Sequence, residues 1–372
     1  MKTVIKFVKS ITSLLILNII FFYIKFIKNK KVIFFYHAEN KTTDISINYI
    51  NYFFYKKKNV FETIFGYNGK EVNLKKYFFI NEKFIFLLFG IDYLVTNYLT
   101  STSPLFCKKI YIHHDIYDTP LVGMDLEKDT YLELSKLDYI FISSKYSQKI
   151  FDHGFVKYKI KKIPKFVVSG YLKLSYLEGL KLKKKFKNKG RKSIIIAPTQ
   201  YKSNEKISML NDMDFIIKNI LKNNYKVVLR PHPANRDDPK FLLYKKKYEK
   251  NINFLYDNSS EYFENYIKSS LLITDISGTA YTYSYLTLKP VLFFELSRNR
   301  KYMKNFFDLD LNYFKNRKKI GIILKNKNYL ISAIRKMIVD KKKKSDIVKL
   351  KKDILSKNEV IKRFDKIFNN LA

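Results

Sequence analysis

Three short stretches gather the residue types that phosphate chemistry needs. The first is Arg230-Pro231-His232-Pro233, which follows the apolar run Tyr225–Leu229. A guanidinium is a planar fork that matches phosphate oxygens. The two prolines fix φ on either side of His232 and stiffen the turn. An imidazole held there can donate to a phosphate or act on a leaving group. Asn235 and Arg236 extend the polar cluster; a plain surface turn is the competing reading. In the second stretch an apolar run ends at Asp275, and Ser277, Gly278 and Thr279 open a helical pattern. Backbone N–H groups, hydroxyls and the positive end of a helix dipole make such a turn an anion site, although an ordinary capped helix has the same pattern. Ala197-Pro198-Thr199-Gln200 forms a further loop after an apolar run, with Thr199 at its lip. An ordinary strand-to-helix connection is the alternative there.

The third stretch is in the first half, where Lys108–Ile112 runs into His113, His114, Asp115 and Asp118. One imidazole could take a proton from an attacking hydroxyl while a carboxylate orients it. Neighbouring strand residues point to opposite faces, so one of the two histidines faces a cleft. Two His and two Asp on one loop also permit a metal site, but without diagnostic spacing, or a structural role. His37 could line the same cleft, but it and His153 read as structural. The chain has no Walker loop, no GxSxG elbow and no GxGxxG after a strand.

These loops need a scaffold that presents strand ends to a ligand. Short apolar runs alternate with helical patterns along the chain: 31–37, 108–114, 137–144 and 165–170, then 193–199, 225–233, 251–257, 271–275, 290–295 and 320–324. Continuous apolar strands of this kind belong to parallel sheets buried on both faces. Ligands of such sheets bind beyond the carboxyl ends of the strands. Residues 85–97 fit a helix end, a strand or both. Residues 205–223 carry apolar side chains at helical spacing. The basic stretch 180–192 separates two halves of similar architecture and reads as a linker or a solvated helix face. The basic tail 326–372 reads as helices able to cross back to the first half.

With 372 residues, 47% of them apolar, the chain can build two domains. Its formal net charge of +39 would suit a nucleic-acid binder, but the lysines are spread evenly and no nucleic-acid motif accompanies them. A surface this basic is drawn to anionic lipid and polyanionic substrates. The single cysteine, Cys107, fits a reducing compartment. Residues 11–24 are apolar and flanked by lysines. They read as an interfacial anchor, a short membrane span or a buried helix. The first two readings leave the basic bulk on the cytoplasmic side.

The order of motifs resembles the CDP-glycerol:poly(glycerophosphate) glycerophosphotransferase family of teichoic-acid primases and polymerases. The likeness covers about residues 105–300. It is carried by His114 with Thr119-Pro120-Leu121, by 163–177, by Ala197-Pro198-Thr199, and above all by Arg230–Pro233 and 271–294. The departures are Asp115, where the family has glycine, four extra residues before Thr119-Pro120-Leu121, Gly278, where it has a second serine, and Tyr283, where it has an acidic residue.

The resemblance implies a GT-B-like α/β fold. Two Rossmann-like domains would turn parallel sheets towards a cleft, preceded by an N-terminal membrane-associating helix. The expected divisions are 1–30 for the helix, 31–180 for the acceptor domain, 181–335 for the nucleotide-donor domain and 336–372 for basic helices. The implied catalytic residues are His114, as acceptor-side base, and His232. Arg230, Asp275, Ser277, Gly278, Thr279 and Thr199 would bind the donor, with His113, Asp115 and Asp118 in support of the cleft. Neither metal nor cofactor is expected beyond the CDP-glycerol or related CDP-polyol donor. The expected partners are that donor, a lipid-linked or glycan acceptor and an anionic membrane surface, with no specific nucleic acid. The expected location is the cytoplasmic face of the bacterial inner membrane. A GT-B glycosyltransferase using a nucleotide sugar, and a non-catalytic basic membrane- or nucleic-acid-binding protein, are the rival readings.

Overall fold

The computed structural model describes residues 2–38, 61–68, 77–100, 102–113, 115–117, 128–183, 192–200, 205–259, 262–306, 309–354 and 357–371. His114, Asp118, the Thr119-Pro120-Leu121 motif and residues 184–191 of the expected linker lie outside them.

Among the described residues the first half holds β1 (Lys31–Ala38), β2 (Phe61–Asn68), β3 (Tyr77–Phe79), β4 (Tyr93–Thr96), β5 (Lys108–Ile112), β6 (Tyr139–Ile142) and β7 (Lys165–Val168). They form one sheet in the order β3-β2-β1-β4-β5-β6-β7, every pair parallel. Its helices are α1 (Lys2–Phe22), α2 (Lys128–Ser135), α3 (Gln148–Lys157) and α4 (Leu172–Lys183). The ambiguous stretch 85–97 resolves into a 3-10 turn, Glu82–Leu87, followed by β4.

The second half holds β8 (Ser193–Ile196), β9 (Lys226–Leu229), β10 (Phe254–Tyr256), β11 (Ser269–Thr274), β12 (Val291–Phe294) and β13 (Gly321–Leu324), in the order β10-β9-β8-β11-β12-β13. These pairs too are parallel. Its helices are α5 (Met213–Lys222), α6 (Pro239–Tyr248), α7 (Phe263–Lys268), α8 (Thr279–Thr287), α9 (Ser297–Phe306), α10 (Asn312–Ile320), α11 (Leu330–Val339), α12 (Lys341–Lys351) and α13 (Lys357–Leu371). Both sheets therefore have the doubly wound order. In the second, the topological switch point falls between β8 and β11, where ligands of such folds bind.

Helix α8 joins the halves. Ala280 through Leu286 are all buried, because the helix packs against the first half as well as its own sheet. Such a helix must be apolar all round or have its polar tips satisfied. Here the tyrosines use both means. Their rings fill one core continuous across both halves. The Tyr285 hydroxyl meets that of Tyr117 at 2.5 Å, Tyr281 donates to the Tyr313 carbonyl at 2.6 Å, and Tyr283 accepts from Ser269. Thr282 meets Tyr171 at 2.8 Å. At the C-terminal end of α8, Lys181 and Lys351 donate to the carbonyls of Leu286 and Tyr285. Cations are favoured there by the helix dipole. The tail returns to the first half: α13 packs on α4, and Arg363 donates to the Val168 carbonyl.

Helix α1 continues as a π-turn, Tyr23–Ile27. Its composition and length would suffice to cross a membrane. In the fold one of its faces packs on the first sheet. Leu14, Leu17, Phe21 and Ile24 pack into the first sheet's core with Val32, Phe34 and Tyr36. Its polar residues are bound to the domain: Ser10 accepts from the Asn81 amide, and Asn18 both donates to the Leu87 carbonyl and accepts from the Phe89 amide. Its other face leaves Val4, Leu15, Ile19, Phe22 and Phe26 exposed.

Candidate active site

The switch point of the second sheet is organised by Asp275, at the end of β11. Its carboxylate accepts from the amides of Thr199 (2.8 Å), Met209 (3.0 Å) and Ile276 (2.8 Å). Both oxygens are thus occupied by backbone, and the side chain is 2% exposed. Burial drives its pKa up, and the amides pull it back. Asp275 ties the Ala197–Thr199 loop to the turn before α8. Its geometric role is to hold the Ser277–Thr279 turn in place.

At that turn Ser277 Oγ accepts from the Thr279 amide at 3.3 Å, and the Ser277 amide donates to the Tyr313 hydroxyl at 2.7 Å. The Thr279 hydroxyl meets that of Tyr266 at 2.5 Å. Burial raises the Tyr266 pKa to about 12, which keeps its proton in place at neutral pH. A carboxylate from the other half reaches this turn. The Asp115 Oδ1 lies 2.1 Å from where a Cβ on Gly278 would sit. The expected anion site therefore faces an anion, one that belongs to the protein itself.

Arg230, at the end of β9, is buried and paired with Asp257 (Nη1 to Oδ2, 2.8 Å). Asp257 also accepts from Ser259 and from Asn265 at 2.8 Å. Burial pushes the Asp257 carboxyl up, but Arg230, Ser259 and Asn265 outweigh that and hold it below its ordinary value. The guanidinium lies 4.8 Å from the centre of the Tyr262 ring, a cation–π distance. The pairing fixes Arg230 in orientation and commits one arm of its fork. His232 caps the following turn, its Nδ1 accepting from the Ala234 amide at 3.2 Å. In a neutral ring that places the proton on Nε2.

Lys173 is a cleft residue that sequence patterns did not single out. It sits in the first turn of α4, two residues after Tyr171 and three after Gly170, a turn glycine with φ of +83°. Its ammonium is 5.4 Å from the Tyr262 ring centre, so Lys173 and Arg230 share one aromatic side chain. Desolvation lowers its pKa, while Tyr266 and Asp115 act to raise it and Arg230 lowers it further. The available signal was positional: a lysine just beyond the end of β7, where a cleft-facing group belongs.

The first-half histidines separate. His113 is buried, with its ring edge-on to Phe151 at 5.1 Å and its Nδ1 3.5 Å from the Tyr111 hydroxyl. It packs inside the first domain. His37 stacks on Tyr67. The structure thus brings Asp115, Lys173, Arg230 and the 277–279 turn together between the halves, beside Tyr262 and Tyr266. Among the described residues no group of three or more His, Cys, Asp or Glu side chains could hold a metal ion.

Two Rossmann-like units with a hydroxyl-rich site lined by charged side chains at the second switch point define a GT-B-like transferase architecture. The chain belongs to the CDP-glycerol:poly(glycerophosphate) glycerophosphotransferase family, whose profile matches residues 18–359. It is an enzyme of that transferase class. The fold is similar to that of the wall teichoic acid polymerase TagF, at TM-score 0.62 and 17% identity over 99% of this chain and 98% of that one. A TagF H444N variant soaked with CDPG is similar at TM-score 0.59 and 17% identity, over 98% and 97%. The MnaA–UDP co-structure from S. aureus is similar at TM-score 0.60 and 13% identity, over 92% and 98%. No curated protein matches the sequence significantly.

Proposed function

We propose that this enzyme transfers glycerol phosphate, or a related polyol phosphate, from a CDP-activated donor to a hydroxyl of a lipid-linked or cell-surface glycan, releasing CMP. The observation that carries this reading is the meeting of Lys173, Arg230 and the Ser277–Thr279 turn around Tyr262 and Tyr266 at the second switch point. These are the donors that a pyrophosphate needs.

In the proposed step the acceptor oxygen attacks the phosphorus bearing the polyol. The bond from that phosphorus to the bridging oxygen breaks, and CMP departs with the bridging oxygen. The acceptor proton goes to a base, for which His114 is the candidate. The His232 Nε2–H donates to the leaving phosphate, and Lys173 stabilises charge on the transferred phosphoryl group. The chemistry uses no cofactor or metal in this reading. The enzyme works at the cytoplasmic face of the membrane, near its acceptor, with the exposed stripe of α1 turned to the lipid.

The test is incubation of the purified protein with CDP-glycerol, CDP-ribitol and several nucleotide sugars, beside His114→Ala and His232→Ala. The expected result is CMP release from a CDP-polyol, lost in both variants. Release of CDP or UDP from a sugar nucleotide would move the enzyme to the glycosyltransferases.

A further inference from the structure

Parallel strands place all their amino ends on one edge of a sheet. In the first sheet that edge lies opposite the catalytic loops, and several large apolar side chains stand on it in water. Phe106 is 88% exposed and Leu105 73%, at the tip of the loop entering β5. Ile27 precedes β1, Phe89 precedes β4, and Ile163 precedes β7; all are exposed. Scattered exposed apolar residues are ordinary, but a group gathered on one edge is not.

Asp92 ties the parts of this edge together. Its carboxylate accepts from Lys25 at 3.1 Å, at the end of α1, and from the Val32 amide at 2.8 Å, in β1. Its carbonyl accepts from the Lys108 amide at 2.9 Å, in β5. The lipid-like face of α1 and the Leu105–Phe106 tip are therefore held to one rigid frame. Beneath the tip lies a groove of about 560 Å³ lined by Lys31, Lys108, Lys109, Lys136 and Lys162 against two carboxylates, Asp92 and Asp138. Each carboxylate already serves the protein: Asp92 as above, Asp138 through Lys108 and the Lys109 amide. The groove's net charge is positive.

We propose that this edge is a second membrane contact, distinct from the α1 stripe, where Leu105 and Phe106 insert into an anionic phospholipid surface and the surrounding lysines meet the headgroup phosphates. An apolar tip ringed by long basic side chains suits the boundary between acyl chains and headgroups. Each lysine near such a surface strengthens binding about fivefold. The proposal stands on surface geometry alone and does not depend on the donor or acceptor.

The chain has no tryptophan, so Phe106→Trp reports on this tip alone. The full-length variant is mixed with vesicles of phosphatidylcholine, with vesicles also containing phosphatidylglycerol, and with inorganic phosphate. The expected result is a blue-shifted emission, quenched by brominated acyl chains, with phosphatidylglycerol vesicles only. Leu105→Ser with Phe106→Ser should reduce sedimentation with those vesicles about tenfold or more, at unchanged Tm. Emission that stays solvent-like while the protein sediments, sedimentation equal to that of the parent chain in the double variant, or the same shift with inorganic phosphate alone would overturn the proposal.

Discussion

Asp115 and Gly278 are shaped to each other across the two halves. A Cβ at 278 would lie 2.1 Å from Asp115 Oδ1, so a side chain there would require the carboxylate to move. Both are positions at which the chain departs from the motif it otherwise resembles. The glycine leaves room at the N-terminus of α8 for a carboxylate, which the helix dipole favours.

Gly278→Ser should therefore destabilise the protein by about 1–3 kcal/mol, the cost of an overpacked site. In the Asp115→Gly background the same change should cost far less. Denaturant unfolding of the two single variants and the double variant measures the coupling. Additive effects would mean that the two residues do not share the space.

Lys173→Met keeps most of the side-chain stem and removes the charge. The KM for a CDP-polyol should rise about 10–100-fold, the loss of one charge-assisted contact, with Tm nearly unchanged. Steady-state kinetics on both proteins checks this. An unchanged KM would show that Lys173 does not meet the donor.

Asp275→Ala would leave the amides of Thr199, Met209 and Ile276 without their acceptor. Stability should fall by about 3 kcal/mol or more, and donor binding should weaken with it, because the Thr199 loop and the turn before α8 lose their tie. Thermal unfolding and equilibrium binding of CDP-glycerol read the two effects. A variant that weakens binding at full stability would make Asp275 a direct ligand.

The Arg230–Asp257 pair predicts a pH dependence. The folded Asp257 carboxyl sits below its ordinary value of 3.8, since Arg230, Ser259 and Asn265 overcome the upward push of burial. Its contribution to stability is fully present above the unfolded value and is lost as pH falls through the lower folded one. The Tm difference between the parent chain and Asp257→Asn should be constant near neutrality and shrink below about pH 4. A difference independent of pH through that range would remove the pair from the account.

Strand ends, and the loops that hold residue types suited to phosphate, were written into the sequence. Continuous runs such as Ser193–Ile196 and Leu271–Thr274 can be satisfied only by burial on both faces, and prolines and glycines mark where each run stops. That was enough to recognise two doubly wound halves and to point to Arg230, His232 and the 277–279 turn. Strands β2 and β3 were not legible. Gly66 interrupts the apolar pattern of β2, and only the packed fold shows why: the Phe34 ring fills the space where its Cβ would be. The use of α1 was equally hidden, since a helix apolar on most sides has the same sequence whether it meets lipid, a sheet or both. Which loops face each other depends on strand order and on how the halves dock through α8. Only the tertiary structure could pair Arg230 with Asp257, turn His113 inward, and bring Lys173 and Asp115 to the 277–279 turn from a distant part of the chain.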